Sequence, residues 1–206
     1  MNAKIIKILK IIIVIILIIA LIFIAYKIYQ GILENHFKKM LENSDATNYK
    51  LTEIVNDEET IVYVRDKTLL IEYENTKTWV NEFEQKRIAF DDNYKTTIID
   101  NNDENLKVNS LNYTYIHDFF ENDNQSFKYL GRQDGCYQIQ FKEKGSNKIT
   151  LLYINEKTKN VEKMVQNAGN FEFVTTFKVE KNKVSKADVE LPNLEGYRAY
   201  DSVNSR

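Results

Sequence analysis

Residues 49–83 read YKLTEIVNDEETIVYVRDKTLLIEYENTKTWVNEF, and this stretch decides the fold. Apolar and polar side chains alternate in four short runs, at residues 49–55, 60–65, 68–73 and 78–83. Short connections rich in Asn, Asp, Glu and Lys separate these runs. A period of two with short polar connections predicts β-strands that pair as an antiparallel meander. Two further runs, around residues 87–90 and 94–99, extend this prediction to six strands.

The strand pattern stops at the polar residues 101–105 and resumes only after a predicted helix. Residues 110–120 space their apolar side chains at helical intervals, and Ser110 is a candidate N-cap. Alternation then returns in five runs, at residues 127–130, 137–141, 149–154, 161–165 and 171–179. We therefore expect about eleven strands in one domain of residues 30–200, followed by a disordered tail at residues 201–206.

Upstream of the meander, residues 11–25 are apolar without interruption, and Lys4, Lys7 and Lys10 precede them. With residues 26–29 included, the run is long enough to span a bilayer core of roughly 30 Å. The preceding lysines predict a cytoplasmic N-terminus and an exported domain. Residues 1–29 are thus predicted to be a cytoplasmic stub and a single-pass anchor in the cell membrane, with residues 11–29 inside it. A cleaved signal peptide is the alternative, but Phe23 stands where its cleavage site needs a small residue.

The predicted sheet should curl, because β-strands twist and large open sheets do not stay flat. Residues 31–41 have apolar side chains three and four apart, which predicts an amphipathic helix that packs on the domain. The predicted fold class is therefore α+β: a transmembrane helix and a strongly curved antiparallel half-barrel covered by the two helices. We expect the concave face to be lined by Trp79, Phe83, Phe90, Tyr137, Ile139 and Phe141, with Phe119 and Phe120 covering it.

Composition favours a binding protein over an enzyme. The formal charge is -2, and four lysines without an acidic residue in the first thirty positions leave the remainder at -6, which argues against nucleic acid as a partner. The single cysteine, Cys136, cannot form an internal disulfide and is interpreted as a small buried hydrophobe. His36 and His117 are too few for a histidine-rich metal site. We predict no catalytic residue, metal or cofactor; an enzyme would need paired carboxylates, with Asp91 and Asp118 as the first candidates.

Three segments resemble the LolA-like superfamily, the half-barrel group of lipoprotein carriers and RseB-type regulatory domains. Residues 148–161, KITLLYINEKTKNV, are similar to the strand and turn written (Y/W)ID..TG.V in that group, and residues 171–179 to its long following strand. Residues 186–197, KADVELPNLEGY, resemble the D.KLPDLSGY segment of Gram-positive members. The order of predicted elements across residues 32–197 is similar as well.

This resemblance implies an apolar groove that binds a lipid, an acyl chain or a lipoprotein. Carrier members are soluble, whereas this chain has a predicted membrane anchor. A related clostridial protein, the germination lipoprotein GerS, supports a cell-wall amidase during spore cortex modification, although this chain lacks the lipobox cysteine. The leading hypothesis is thus a non-catalytic, anchored extracytoplasmic domain with a lipid or lipoprotein ligand. The alternative is a protein-binding adaptor for a cell-envelope enzyme such as a spore-cortex amidase.

Overall fold

The first element, α1, is one unbroken helix that runs from Ala3 to Asn43. The computed structural model describes residues 3–100 and 106–201, so the predicted tail lies outside the described residues except for Asp201. The predicted anchor and the predicted amphipathic helix are parts of α1, which is about 60 Å long at 1.5 Å per residue. From Leu9 onward α1 is long and apolar enough to cross a membrane, and its most apolar window of 18 residues has a mean hydropathy of 3.2. A signal sequence would meet the same criterion.

The described part of the domain contains twelve strands, one more than the sequence predicts. Their bounds are β1 Tyr49–Val55, β2 Glu58–Arg65, β3 Thr68–Tyr73, β4 Thr76–Asn81, β5 Lys86–Asp91, β6 Thr96–Asp100, β7 Gln125–Gln133, β8 Cys136–Glu143, β9 Ile149–Asn155, β10 Val161–Ala168, β11 Phe171–Lys181 and β12 Arg198–Asp201. The additional strand is β12, a short strand that the alternation of side chains does not indicate.

All twelve strands belong to one sheet, in the order β12-β6-β5-β4-β3-β2-β1-β11-β10-β9-β8-β7. Neighbouring strands are antiparallel, except that β12 pairs in parallel with β6. The pairing of β1 with β11, from Tyr49 opposite Lys181 to Val55 opposite Thr175, joins the two meanders. The sheet is not closed, and its free edges are β7 and β12. The predicted α+β fold with a curved half-barrel is confirmed.

Two of the hairpin turns in the first meander are made without glycine. Asn56 and Asp57 have φ angles of 52° and 68°, and Asp66 and Lys67 have φ angles of 48° and 66°. Two successive residues with positive φ form the turn type whose twist matches that of the flanking strands. Asn and Asp tolerate this backbone better than most residues, so the polar connections in the sequence become tight two-residue hairpins.

The predicted helix at residues 110–120 is shorter than expected and changes type. A single α-helical turn, α2, covers Tyr113–Tyr115, and a π-helix continues it from Ile116 to Phe120. The prediction of Ser110 as the N-cap was wrong, because the residue before the first helical position is Asn112. We call residues 106–120 the central cover, since they lie over the concave face of the sheet.

Of three apolar clusters on the sheet, the first and the third lie on the concave face and the second lies on the opposite face. The register shows this, because Val64 pairs with Leu69 on one face while Leu70 pairs with Trp79 on the other. The first lies beneath α1 and the central cover, and its buried members include Phe37, Leu41, Ile139, Phe141 and Leu152. The second is built on β3–β5 around Leu70, Trp79, Ile88 and Phe90. The third contains Tyr49, Val64 and Leu111.

The second cluster is covered by an irregular segment at the end of the domain and not by a helix from the first half. Leu191, Leu194 and Tyr197 pack against it. We call residues 184–197 the C-terminal cover. The C-terminal cover therefore lies on the opposite face of the sheet, for which the sequence pattern predicted no cover, while α1 and the central cover lie on the concave face.

Candidate functional site

Five of the eight predicted lining residues lie in the first cluster, where they pack against one another. Ile139 and Phe141 are fully buried. The rings of Phe119 and Phe120 lie on Phe141, with centroids 5.2 Å and 4.9 Å away. Tyr137 lies against Phe37 of α1, with centroids 5.3 Å apart. These side chains therefore form a filled core for the most part, and Phe119 also lines the cavity described below.

The remaining three predicted residues are divided between the second cluster and the surface. Trp79 is buried, and its Nε1–H donates to the carbonyl of Val189 in the C-terminal cover at 3.0 Å. Phe90 contacts Tyr197 of the same cover, with ring centroids 6.2 Å apart. The predicted position of Trp79 and Phe90 on the concave face is therefore wrong, because both lie on the opposite face of the sheet, under the C-terminal cover.

The predicted position of Phe83 on the concave face is wrong. Its side chain is 73% exposed and lies in the turn after β4. The strand ends at Asn81, because the Oδ1 atom of Asn81 accepts the backbone N–H groups of Phe83 and Glu84 at 2.9 Å and 3.1 Å. The alternation that starts at Trp79 therefore stops before it reaches Phe83.

An unfilled cavity of about 390 Å³ lies between the sheet and the central cover. Its volume falls within the roughly 300–1,000 Å³ of typical small-molecule sites. The apolar part of its lining comes from β1, β2, β3, β10, β11 and the central cover: Leu51, Val62, Val64, Leu69, Ile71, Met164, Phe177, Val108, Leu111 and Phe119.

The central cover is held at one end of this cavity by hydrogen bonds to the loop after α1. Asn112 is buried, and its Nδ2 donates to the carbonyl of Leu41 at 2.9 Å. The backbone N–H of Asn112 donates to Oδ1 of Asp45 at 2.7 Å, and that of Leu111 donates to the carbonyl of Ala46 at 2.9 Å. Tyr49 also contributes a bond to the carbonyl of Asn109. These bonds attach the central cover to the end of α1, to the loop after it and to β1.

Polar groups lie at one side of the cavity. Glu53 of β1 is half-buried and lines it together with Gln166, while Lys107 and Asp118 of the central cover are exposed at its rim. Burial raises the pKa of the Glu53 carboxyl. Burial also raises the pKa of Tyr49 to about 12, with smaller contributions from the negative charges of Asp45 and Glu53.

The two carboxylates named as enzyme candidates do not share this cavity. Asp118 lies at its rim and contacts Nδ1 of His117 at 2.9 Å. Asp91 does not line the cavity, and its Oδ1 accepts the N–H groups of Asn93 and Tyr94 in the turn after β5. No group of three or more His, Cys, Asp or Glu side chains that could hold a metal occurs within residues 9–100 and 106–200. Cys136 is buried, as predicted.

The residues that line the cavity were missed in the sequence, although a signal for them exists. The lining residues of each strand are two positions apart and therefore share one face of the sheet. They are Leu51 and Glu53 in β1, Val62 and Val64 in β2, and Leu69 and Ile71 in β3. Selecting aromatic positions directed the prediction to the filled clusters instead. Which face of the sheet stays open depends on the covers, whose positions the strand pattern does not contain.

No protein-family model matches the sequence, and no curated protein is similar to it. Among solved structures, the chain is similar to an uncharacterized conserved protein from Thermus thermophilus, with a TM-score of 0.51. The similarity covers 81% of this chain and 98% of that chain at 11% sequence identity. At this identity the likeness concerns the fold alone. The fold and the site therefore define the class as an α+β half-barrel with a cavity under its central cover.

Proposed function

We propose that this protein is a non-catalytic, LolA-like extracytoplasmic domain that binds an acyl chain of a lipid or lipoprotein in the cavity under the central cover. Residues 11–29 of α1 anchor it in the cell membrane, with the N-terminus in the cytoplasm. The observation that carries the proposal is the unfilled cavity of about 390 Å³, whose lining is mainly aliphatic and aromatic.

The lining favours a hydrocarbon chain for energetic reasons. Each buried methylene group contributes about 0.8 kcal/mol, so about ten methylenes in the cavity would contribute about 8 kcal/mol. Association itself costs at least several kcal/mol, which leaves only part of this gain. Contacts between the polar rim and the ligand's head group are therefore expected to influence affinity.

The junction between anchor and domain supports a fixed position at the membrane surface. α1 continues without a break from the apolar run into the first cluster, where Phe37 and Leu41 are buried. Gln30 follows the anchor directly, and its Oε1 accepts the backbone N–H of Tyr129 in β7 at 3.0 Å. The domain therefore begins within one residue of the predicted membrane span.

Photolabelling of the full chain in phosphatidylcholine nanodiscs tests the proposal. The probe is dodecanol with a diazirine on its chain, and the labelled residues are mapped by mass spectrometry. We expect labels on residues around the cavity, such as Leu51, Val62 and Met164.

The variant Val62→Trp should lose this labelling because the indole fills the cavity. Ile61→Trp is the matched control, since Ile61 is the neighbouring residue on the opposite face of β2. Labelling confined to α1, or equal labelling of the cavity in both variants, would contradict a chain-binding role.

The adaptor function is a second candidate, favoured by two exposed aromatic side chains. Phe171 and Phe173 begin β11, and they are 71% and 51% exposed. As alternate residues they share one face of the strand, and exposed apolar patches often mark protein contacts. A photocrosslinking residue at position 171 should capture a cell-wall amidase in cells if the protein is such an adaptor. The control is the same residue at Glu172, on the other face of β11; equal capture at both positions would argue against the adaptor.

A further inference from the structure

We infer that the ligand is a single-chain amphiphile with a protonated amine head group, and that Glu53 binds this head group. The inference rests on the proposed function, because it assumes that the cavity takes the hydrocarbon chain. It adds the chemical class of the head group and names the residue that selects it.

The position of Glu53 places a carboxylate inside an apolar lining. It lies on β1 directly opposite Thr60 of β2 and Phe177 of β11. Leu51, two residues earlier on the same strand, lines the cavity on the same face. A chain lying along these apolar side chains would therefore bring its head group to the carboxylate.

The Glu53 carboxylate lacks a compensating partner. Within residues 9–100 and 106–200, no side chain forms a hydrogen bond or an ion pair with it, and burial alone accounts for its raised pKa. A half-buried carboxylate without a partner is costly, because transfer from water penalises the charged form. A ligand cation would remove this cost by supplying a charge-assisted hydrogen bond.

The other titratable groups near Glu53 also favour a cation. Asp118 adds a second carboxylate to the lining, and Lys107 is exposed and lies near the negative charge of Glu82. Tyr49 and Tyr115 also face Glu53, and burial raises the pKa of both, so they stay neutral at physiological pH. A fatty acid would place its carboxylate beside Glu53 and Asp118, where like charges repel.

Methyl NMR of the full chain in phosphatidylcholine nanodiscs can measure this selectivity. The chain has three methionines, at positions 1, 40 and 164. Met164 lines the cavity, while Met40 is buried in the first cluster and provides an internal reference. The protein labelled with ¹³C at the methionine methyl groups is titrated with dodecylamine, dodecanol and dodecanoate.

We expect dodecylamine to shift the Met164 resonance at the lowest probe concentration. Glu53→Gln should weaken dodecylamine binding about tenfold, which corresponds to one charge-assisted hydrogen bond. The same variant should leave dodecanol binding nearly unchanged and should strengthen dodecanoate binding. Comparing one probe between variants removes the effect of its partitioning into the nanodisc lipid.

Glu59→Gln is the matched control, because it removes the same charge from an exposed position on β2 that does not line the cavity. If both variants bind dodecylamine like the unmodified chain while dodecanol still shifts Met164, the head-group inference is overturned and the chain-binding function stands. If none of the three probes shifts Met164, both proposals are overturned.

Discussion

The segment of α1 outside the membrane span should stabilise the domain through Phe37. Phe37 is 2% exposed and packs against Phe127, Tyr129 and Tyr137, with ring centroids 6.2 Å, 5.3 Å and 5.3 Å away. Phe37→Ala removes a ring enclosed on one side by β7 and β8 and on the other by its own helix. Replacing a buried phenylalanine by alanine costs about 3–5 kcal/mol, which includes the cavity left behind. We expect the unfolding free energy of the domain to fall by about this amount.

Chemical unfolding of the full chain in detergent micelles, followed by far-ultraviolet circular dichroism of the sheet, measures this loss. Ile32→Ala is the control, since Ile32 lies on the same helix with 63% exposure. The control should change the unfolding free energy by less than about 0.5 kcal/mol, as exposed substitutions usually do. If Phe37→Ala behaves like Ile32→Ala, then α1 is only a tether and the packing argument is refuted.

Two other predictions concern the C-terminal cover and the pH dependence. Trp79→Phe leaves the buried carbonyl of Val189 without its donor, which should lower the unfolding free energy by about 1–3 kcal/mol. Amide hydrogen exchange in residues 184–197 should therefore accelerate. Unchanged exchange would show that this bond does not hold the C-terminal cover in place. Because burial raises the pKa of Glu53 in the folded chain, its protonation stabilises the fold. We compare the unfolding free energy of the unmodified chain with that of Glu53→Gln. The unmodified chain should be least stable relative to this variant at neutral pH, and should gain stability as the pH falls through the folded pKa to below the unfolded value of about 4.5. An equal difference in unfolding free energy at pH of about 7 and about 4 would contradict this prediction.

The strands were predictable because apolar and polar side chains alternate along most of them, although β4 is buried on both faces at Trp79 and Val80. The alternation in residues 49–55 and 137–141 corresponds to β1 and β8, with their apolar side chains on the concave side. Strand ends were less predictable, since they depend on local bonds such as those from Asn81 to the turn after β4. This single local feature explains the wrong placement of Phe83.

The cavity could not be predicted from the strand pattern, because it depends on how far each cover lies from the sheet. The C-terminal cover closes over Trp79 through residues such as Leu191 and Leu194, which follow no regular period. The central cover is attached by Asn112, a buried polar side chain that the sequence does not distinguish from a surface residue. Long-range contacts of this kind decide which segment covers each face of the sheet and where a cavity remains.

The bond between Gln30 and Tyr129 also joins α1 to a free edge of the sheet. This bond occupies one outward amide of β7, an edge strand to which a further β-strand could otherwise pair. The centre of the cavity, at β1, is five strand spacings further, about 24 Å along the sheet. α1 therefore shields part of this edge from pairing with a second chain, and it does so away from the cavity.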